Sequence, residues 1–232
     1  MPRRTGTLRR AAQRGALVLA GLLATSAVAA GCRSLLSIEE REYDSALDDG
    51  GAEGGATLTC QSYCELLQST CVGANAQFSS IDACLGLCST FPPGSLDDTD
   101  GNTLGCRIHV LETAKAMIES SDCAAAGPGG NGVCGSNCES YCTSMMVVCP
   151  QTFESLGDCT AVCAPLIECG TYAVGATTPN NPSIQCRLYH LSAASINIQS
   201  AMAGTPTDSQ TTHCPHASGQ TECIADPDPG CP

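Results

Sequence analysis

Three of the four histidines in this chain, His190, His213 and His216, fall close together near its C-terminal end, two of them flanking a cysteine in "HCPHASGQTEC". Three imidazoles are enough for an open metal site, in which neutral ring nitrogens bind the ion and one position stays free. The 19 cysteines offer three other chemistries. Four thiolates on two helices could hold zinc, a CxxC pair could run thiol–disulfide exchange, and paired thiols could staple a fold. No CxxC occurs, which removes both a thioredoxin-type centre and a CxxCH site for covalent haem. What recurs is CxxxC, as in "CQSYC" from Cys60 to Cys64 and "CESYC" from Cys138 to Cys142.

The N-terminal segment decides which sulfur chemistry applies. Residues 1–31 read as an export signal: five arginines and no acid precede "GALVLAGLLA", which is apolar but too short to span a bilayer. The following "AVAAGC" resembles the lipobox of bacterial lipoproteins, with Ala29, Ala30 and Gly31 before Cys32 and Ala29 standing where leucine is usual. That resemblance implies a diacylglyceryl thioether on Cys32, which becomes the first mature residue, and palmitate-type acyl chains that anchor the protein. Cleavage by an ordinary signal peptidase after an A-x-A-like site is the alternative. Arg33 in place of Asp after the anchor points to the outer membrane, at its periplasmic face or at the cell surface. Residues 32–59 then form an acidic, glycine-rich tether with few large apolar groups.

Loss of the signal removes five of the ten basic residues and none of the 23 acids, leaving the mature chain near −18. No Lys or Arg lies between Arg41 and Arg107 or between Lys115 and Arg187, so no basic stripe exists to follow phosphates, and nucleic acid is excluded as a partner. An anionic membrane would also repel the chain, so attachment depends on the lipid.

After the tether the cysteines fall into two series. Cys60, Cys64, Cys71, Cys84, Cys88, Cys106, Cys123 and Cys134 align with Cys138, Cys142, Cys149, Cys159, Cys163, Cys186, Cys214 and Cys223. Ser62, Tyr63, Phe78, Arg107 and Leu111 align with Ser140, Tyr141, Phe153, Arg187 and Leu191, which implies an internal duplication into modules 60–137 and 138–232. Setting Cys32 aside leaves an even number, with Cys169–Cys231 as an additional pair in the second module. In an exported chain this composition reads as a disulfide framework. Aromatic residues make up only 3% of the chain, so each core is small and crosslinks must carry much of the stability.

The segments around the cysteines read as about three helices per module, giving a mainly α fold. "SSIDACLGLC" and "ESLGDCTAVC" carry Ser-x-x-Asp start signals at Ser79–Asp82 and Ser155–Asp158, and the longest candidates are "CRIHVLETAKAMIESS" and "CRLYHLSAASINIQSAMA". Positions i and i+4 share a helix face, so two antiparallel CxxxC helices would meet in two rungs: Cys60–Cys88 with Cys64–Cys84, and Cys138–Cys163 with Cys142–Cys159. This resembles the twin-CxxxC hairpin of small mitochondrial intermembrane-space chaperones over those four cysteines alone, and carries no chaperone function. The remaining pairs are expected to be Cys71–Cys106, Cys123–Cys134, Cys149–Cys186 and Cys214–Cys223.

Other chemistry is sparse. The first module has Val110, Asp122 and Ala125 where His190, His213 and His216 align, so a metal- or haem-associated site would belong to the second module alone. The plainer reading is a crosslinked loop with surface histidines and no cofactor. "DDTDGN" from Asp97 to Asn102 fails as a calcium loop because Leu96 and Arg107 occupy its first and twelfth positions. No GxSxG or HExxH occurs, and no glycine-rich stretch follows a strand and opens a helix as a nucleotide site requires. The phrases carried by Arg187, Tyr189, His190, His213, Pro215, His216 and Ala217 are similar to Cys-rich exported bacterial proteins without an assigned activity, which implies a class and no mechanism. The expectation is a non-enzymatic, lipid-anchored envelope protein without catalytic residues, binding or supporting an envelope protein or polymer.

Overall fold

A computed structural model describes residues 57–115, 117–175, 182–201 and 205–224. Cys32, the signal segment and nearly all of the tether lie outside the described residues. Among those described, the chain forms α1 (Cys60–Thr70), α2 (Ile81–Cys88), α3 (Leu104–Ala114), α4 (Ser120–Ala126), α5 (Asn137–Val148), α6 (Leu156–Cys163), α7 (Ile184–Ala194), α8 (Ile198–Ala201) and α9 (Asp208–Ser218), with one 3₁₀ turn at Gly73–Asn75. The only β pairing among them is an isolated bridge between Ile167 and Ser183. The fold is all-helical and disulfide-rich, and no described helix is long and apolar enough to cross a membrane.

Local chemistry explains where the helices start. Thr59, Ser80, Thr103, Ser136, Ser155, Ser183 and Thr207 each accept the N–H three residues on, satisfying a donor that the first turn leaves unpaired. For α2 the cap is therefore Ser80 bonded to the Ala83 N–H, one residue later than the Ser79–Asp82 signal suggested. The long segment after Cys106 breaks after α3, and Asp122 restarts the chain as α4 by accepting the Glu119 N–H. The long segment after Cys186 breaks where Asn197 takes a positive φ of 62°. Each half thus has four principal helices, not three: α1–α4 and α5, α6, α7 and α9.

Both CxxxC hairpins close as two rungs. Cys60–Cys88 and Cys64–Cys84 join α1 to α2, and Cys138–Cys163 and Cys142–Cys159 join α5 to α6. The other pairings differ from expectation. Cys71 bonds Cys123 and not Cys106, and Cys106 bonds Cys134, so Cys123–Cys134 does not form. Likewise Cys149 bonds Cys214 and not Cys186, and Cys186 bonds Cys223, which removes Cys214–Cys223. The physical reason is the fourth helix. It packs along the third helix, α4 on α3 and α9 on α7, and presents Cys123, or Cys214, to the end of the first helix. The chain beyond it then turns through Gly127 to Gly135, with Gly130, Gly132 and Gly135 all at positive φ, to bring Cys134 to α3. Cys169 is disulfide-bonded, while its expected partner Cys231 lies outside the described residues.

Gly54–Pro232 forms a single compact unit. Leu67, Leu87, Ile108 and Leu111 from the first half join Met145, Leu188, Leu191 and Ile198 from the second in one buried cluster. At the seam α2 lies against the end of α7: a Cβ on Gly86 would sit 2.1 Å from the Ser195 carbonyl oxygen, and the Ser195 hydroxyl donates to Ala83 O at 3.1 Å. Thr90 and Ser144 hydroxyls share a buried bond of 2.7 Å.

A fully buried arginine ties these parts together. Arg107 donates from Nε to Gly127 O, from Nη1 to Thr103 O, and from Nη2 to Asn102 Oδ1 and, across the seam, to Ser140 Oγ. Its guanidinium carbon lies 3.9 Å from the centre of the Phe91 ring. Burial pulls its pKa down to about 10, with Tyr63 and Glu139 opposing, so it remains charged at neutral pH. Satisfied donors make such burial tolerable, and a charged donor removed from its acceptors leaves them dry and unpaired. Arg107→Lys, whose ammonium cannot reproduce the planar fork, is expected to cost roughly 3 kcal/mol in urea unfolding with disulfides intact. An unchanged midpoint would refute this account of the seam. Nonreducing peptide mapping should recover the peptides Cys71–Cys123, Cys106–Cys134, Cys149–Cys214 and Cys186–Cys223; a Cys71–Cys106 peptide would contradict the connectivity.

Candidate functional site

The three C-terminal histidines meet between α7 and α9. His213 and His216 stand one turn apart on α9, and His190 comes from α7, the helix packed along it. His190 Nδ1 and His213 Nδ1 are 3.2 Å apart and share a proton. Their rings stack at 28° with centroids 5.5 Å apart, while His216 meets His190 edge-on at 4.7 Å. One ring nitrogen from each histidine lies within 4.8 Å of one from each of the others. His190 is buried and the α9 pair is half-buried.

Several contacts fix α9 in this position. Cys214 is bonded to Cys149 at the end of α5, the Tyr141 hydroxyl donates to Ala217 O at 2.8 Å, and Gln210 Nε2 donates to Val148 O at 2.6 Å. Arg187 Nη1 donates to Ser218 O at 2.5 Å. The guanidinium then abuts Gly219, whose φ of 77° ends the helix and where a Cβ would meet Nη2 at 2.3 Å. In the first half Tyr63 donates to Ala126 O at 2.6 Å, the same bond in the aligned place, but Val110, Asp122 and Ala125 occupy the histidine positions.

Cys186 and Cys223 also lie beside His190, yet their sulfurs are joined to each other and offer no thiolate. In "DDTDGN", Asp98 accepts the Ser95 N–H at 3.0 Å and the Thr103 hydroxyl at 2.7 Å, which hold its carboxyl below the usual range, while Asn102 turns inward to Arg107. That loop caps α3 and supports the buried arginine. Two surface cavities of about 400 Å³ lie near Phe78 and near Pro150, and their lining contains no carboxylate, imidazole, amine or free thiol. On the surface Glu112 pairs with Lys115 at 3.7 Å.

With this geometry established, the chain can be set beside known proteins. Residues 53–138 match the BfoA family C-terminal domain. The match spans the first half and stops at Cys138, the first cysteine of the second. No curated protein matches the chain, and no solved structure does. The similarity therefore covers the module without the histidine cluster.

The role of Arg107 was missed in the sequence. A usable signal was present: in a chain this poor in cations, arginine follows the sixth cysteine of both series. His213 carries a second consequence. Burial first, and the nearby His216 second, hold its pKa below the ordinary 6.5. A depressed folded value means that the unfolded chain binds the proton more readily, so stability is intact above the ordinary value and falls as pH drops through the folded one. The urea midpoint should decline as pH falls below the ordinary histidine value, and His213→Gln should flatten that decline. Parallel profiles for the two proteins would refute the assignment.

Proposed function

We propose that this protein is a lipid-anchored component of the bacterial cell envelope, in which a duplicated disulfide-stapled module acts as a binding or structural element and not as an enzyme. The observation that carries this reading is the repeated order of crosslinks. In each aligned series of eight, which leaves Cys169 aside, the first cysteine bonds the fifth, the second the fourth, the third the seventh and the sixth the eighth. Among the described residues every cysteine is committed to a disulfide, which belongs to an oxidising, extracytoplasmic environment.

With Cys169 also in a disulfide, Cys32 is the thiol that this reading assigns to acylation. Two or three acyl chains suffice for stable attachment, at about 0.8 kcal/mol per buried CH₂, against an acidic protein that an anionic bilayer repels. The tether of residues 32–59 then separates the helical unit from the membrane, and Arg33 favours the outer membrane. A rigid, crosslinked surface, with no acid–base group lining the cavities near Phe78 and Pro150, suits recognition of an envelope protein or polymer.

The test is direct. Native protein expressed in a bacterial host with labelled palmitate should carry the label and sediment with membranes, and Cys32→Ser should lose the label and appear in the soluble fraction. Native protein that is unlabelled and soluble would overturn the anchor.

A further inference from the structure

We infer that His190, His213 and His216 form an open site for one divalent transition-metal ion of the borderline class, copper, nickel or zinc. This goes beyond the envelope role and does not depend on the lipid anchor. Two imidazole nitrogens bound to one tetrahedral ion, at bond lengths of about 2.0–2.1 Å, sit about 3.3 Å apart. His190 Nδ1 and His213 Nδ1 are already at 3.2 Å. His216 completes a set in which one ring nitrogen from each of the three histidines lies within 4.8 Å of the others. All-nitrogen donors suit borderline ions and disfavour calcium or magnesium, which require oxygen.

The site also has the features that distinguish a binding centre from three adjacent surface histidines. His216 Nδ1 is buried without a hydrogen-bond partner, a polar atom that the fold leaves unsatisfied. The backbone under the pair is held on both sides, by Cys149–Cys214 within α9 and by Cys186–Cys223 between the start of α7 and the chain beyond α9. Little ordering cost therefore remains for the ion to meet. The half-buried α9 rings leave a route from solvent and a free coordination position for water or for a partner's ligand.

The first half supplies an internal control. It has the same four crosslinks and the same tyrosine-to-carbonyl bond with Val110, Asp122 and Ala125 at these places, so the framework does not need the histidines. Adjacent, cis-disposed nitrogens fit a single ion and not a haem, whose axial imidazoles lie trans across a macrocycle. For both Nδ1 atoms to ligate, the proton between His190 and His213 moves to Nε2 of the ring that carried it, so all three rings bind as neutral imidazoles with no net proton released.

Full-length protein with disulfides intact, stripped with a chelator, is titrated with zinc chloride and with copper(II) chloride by calorimetry, and the copper form is read by electron paramagnetic resonance. One ion per chain is expected, with nitrogen hyperfine structure from several imidazoles. His213→Asn and His216→Gln, both on the half-exposed face, should each weaken binding at least about 100-fold, beyond the ~10–100-fold typical of losing an outer-shell partner. His109→Gln, whose ring bonds Leu96 O elsewhere on the surface, should leave binding unchanged. Unaltered disulfide maps and urea midpoints show that the variants are folded. Absence of stoichiometric binding in the native protein, or binding that survives the His213→Asn/His216→Gln double change, would overturn the site.

Discussion

Crosslinks between helices too short to hold one another are the constraint on which this structure depends. The described helices run from four to twelve residues, around or below the length at which an isolated helix is marginal in water. With three phenylalanines and no tryptophan, packing alone offers little to offset their ordering entropy. Disulfides change that balance by restricting the unfolded chain. The bonds closing the longest described loops, Cys71–Cys123 and Cys149–Cys214, draw the fourth helix of each half onto its hairpin. Once that helix is in place, the tyrosine of the first helix reaches its carbonyl, and a buried arginine acquires acceptors.

The two halves use one framework for different ends. In the first, Arg107 is fully enclosed and distributes its donors over two loops and the neighbouring half, so the charge acts as a rivet at the seam. In the second, Arg187 meets the end of α9 through Ser218 O while its buried Nε has no hydrogen-bond partner. The face of α9 that points to α7 carries imidazoles in place of an acid and an alanine. A crosslinked scaffold tolerates such replacements because its stability does not rest on the replaced side chains. The family similarity stops before this half. The more specialised chemistry thus lies beyond the matched region.

An extracytoplasmic environment follows from the same chemistry. The crosslinks persist only where thiols are not kept reduced. The covalent rigidity that keeps the helices in register also presents fixed surfaces, which is what a recognition element requires.

Local periodicity made part of this architecture legible from sequence. CxxxC places two sulfurs on one helix face wherever the helix goes, so the rungs of both hairpins followed from spacing, as did the helical class, whereas the stretch carrying His213 and His216, which reads as a loop, forms α9. The remaining pairings were not legible, because Cys71 and Cys106 are near in order while the choice between Cys123 and Cys134 depends on the path of a glycine-rich turn. Contacts of that kind arise from how helices stack, which no short-range pattern encodes. The convergence of His190 with the α9 pair, and the burial of Arg107 rather than its solvation, have the same origin. Each needs groups from helices far apart in the chain, brought together only when the fourth helix of each half is tied down.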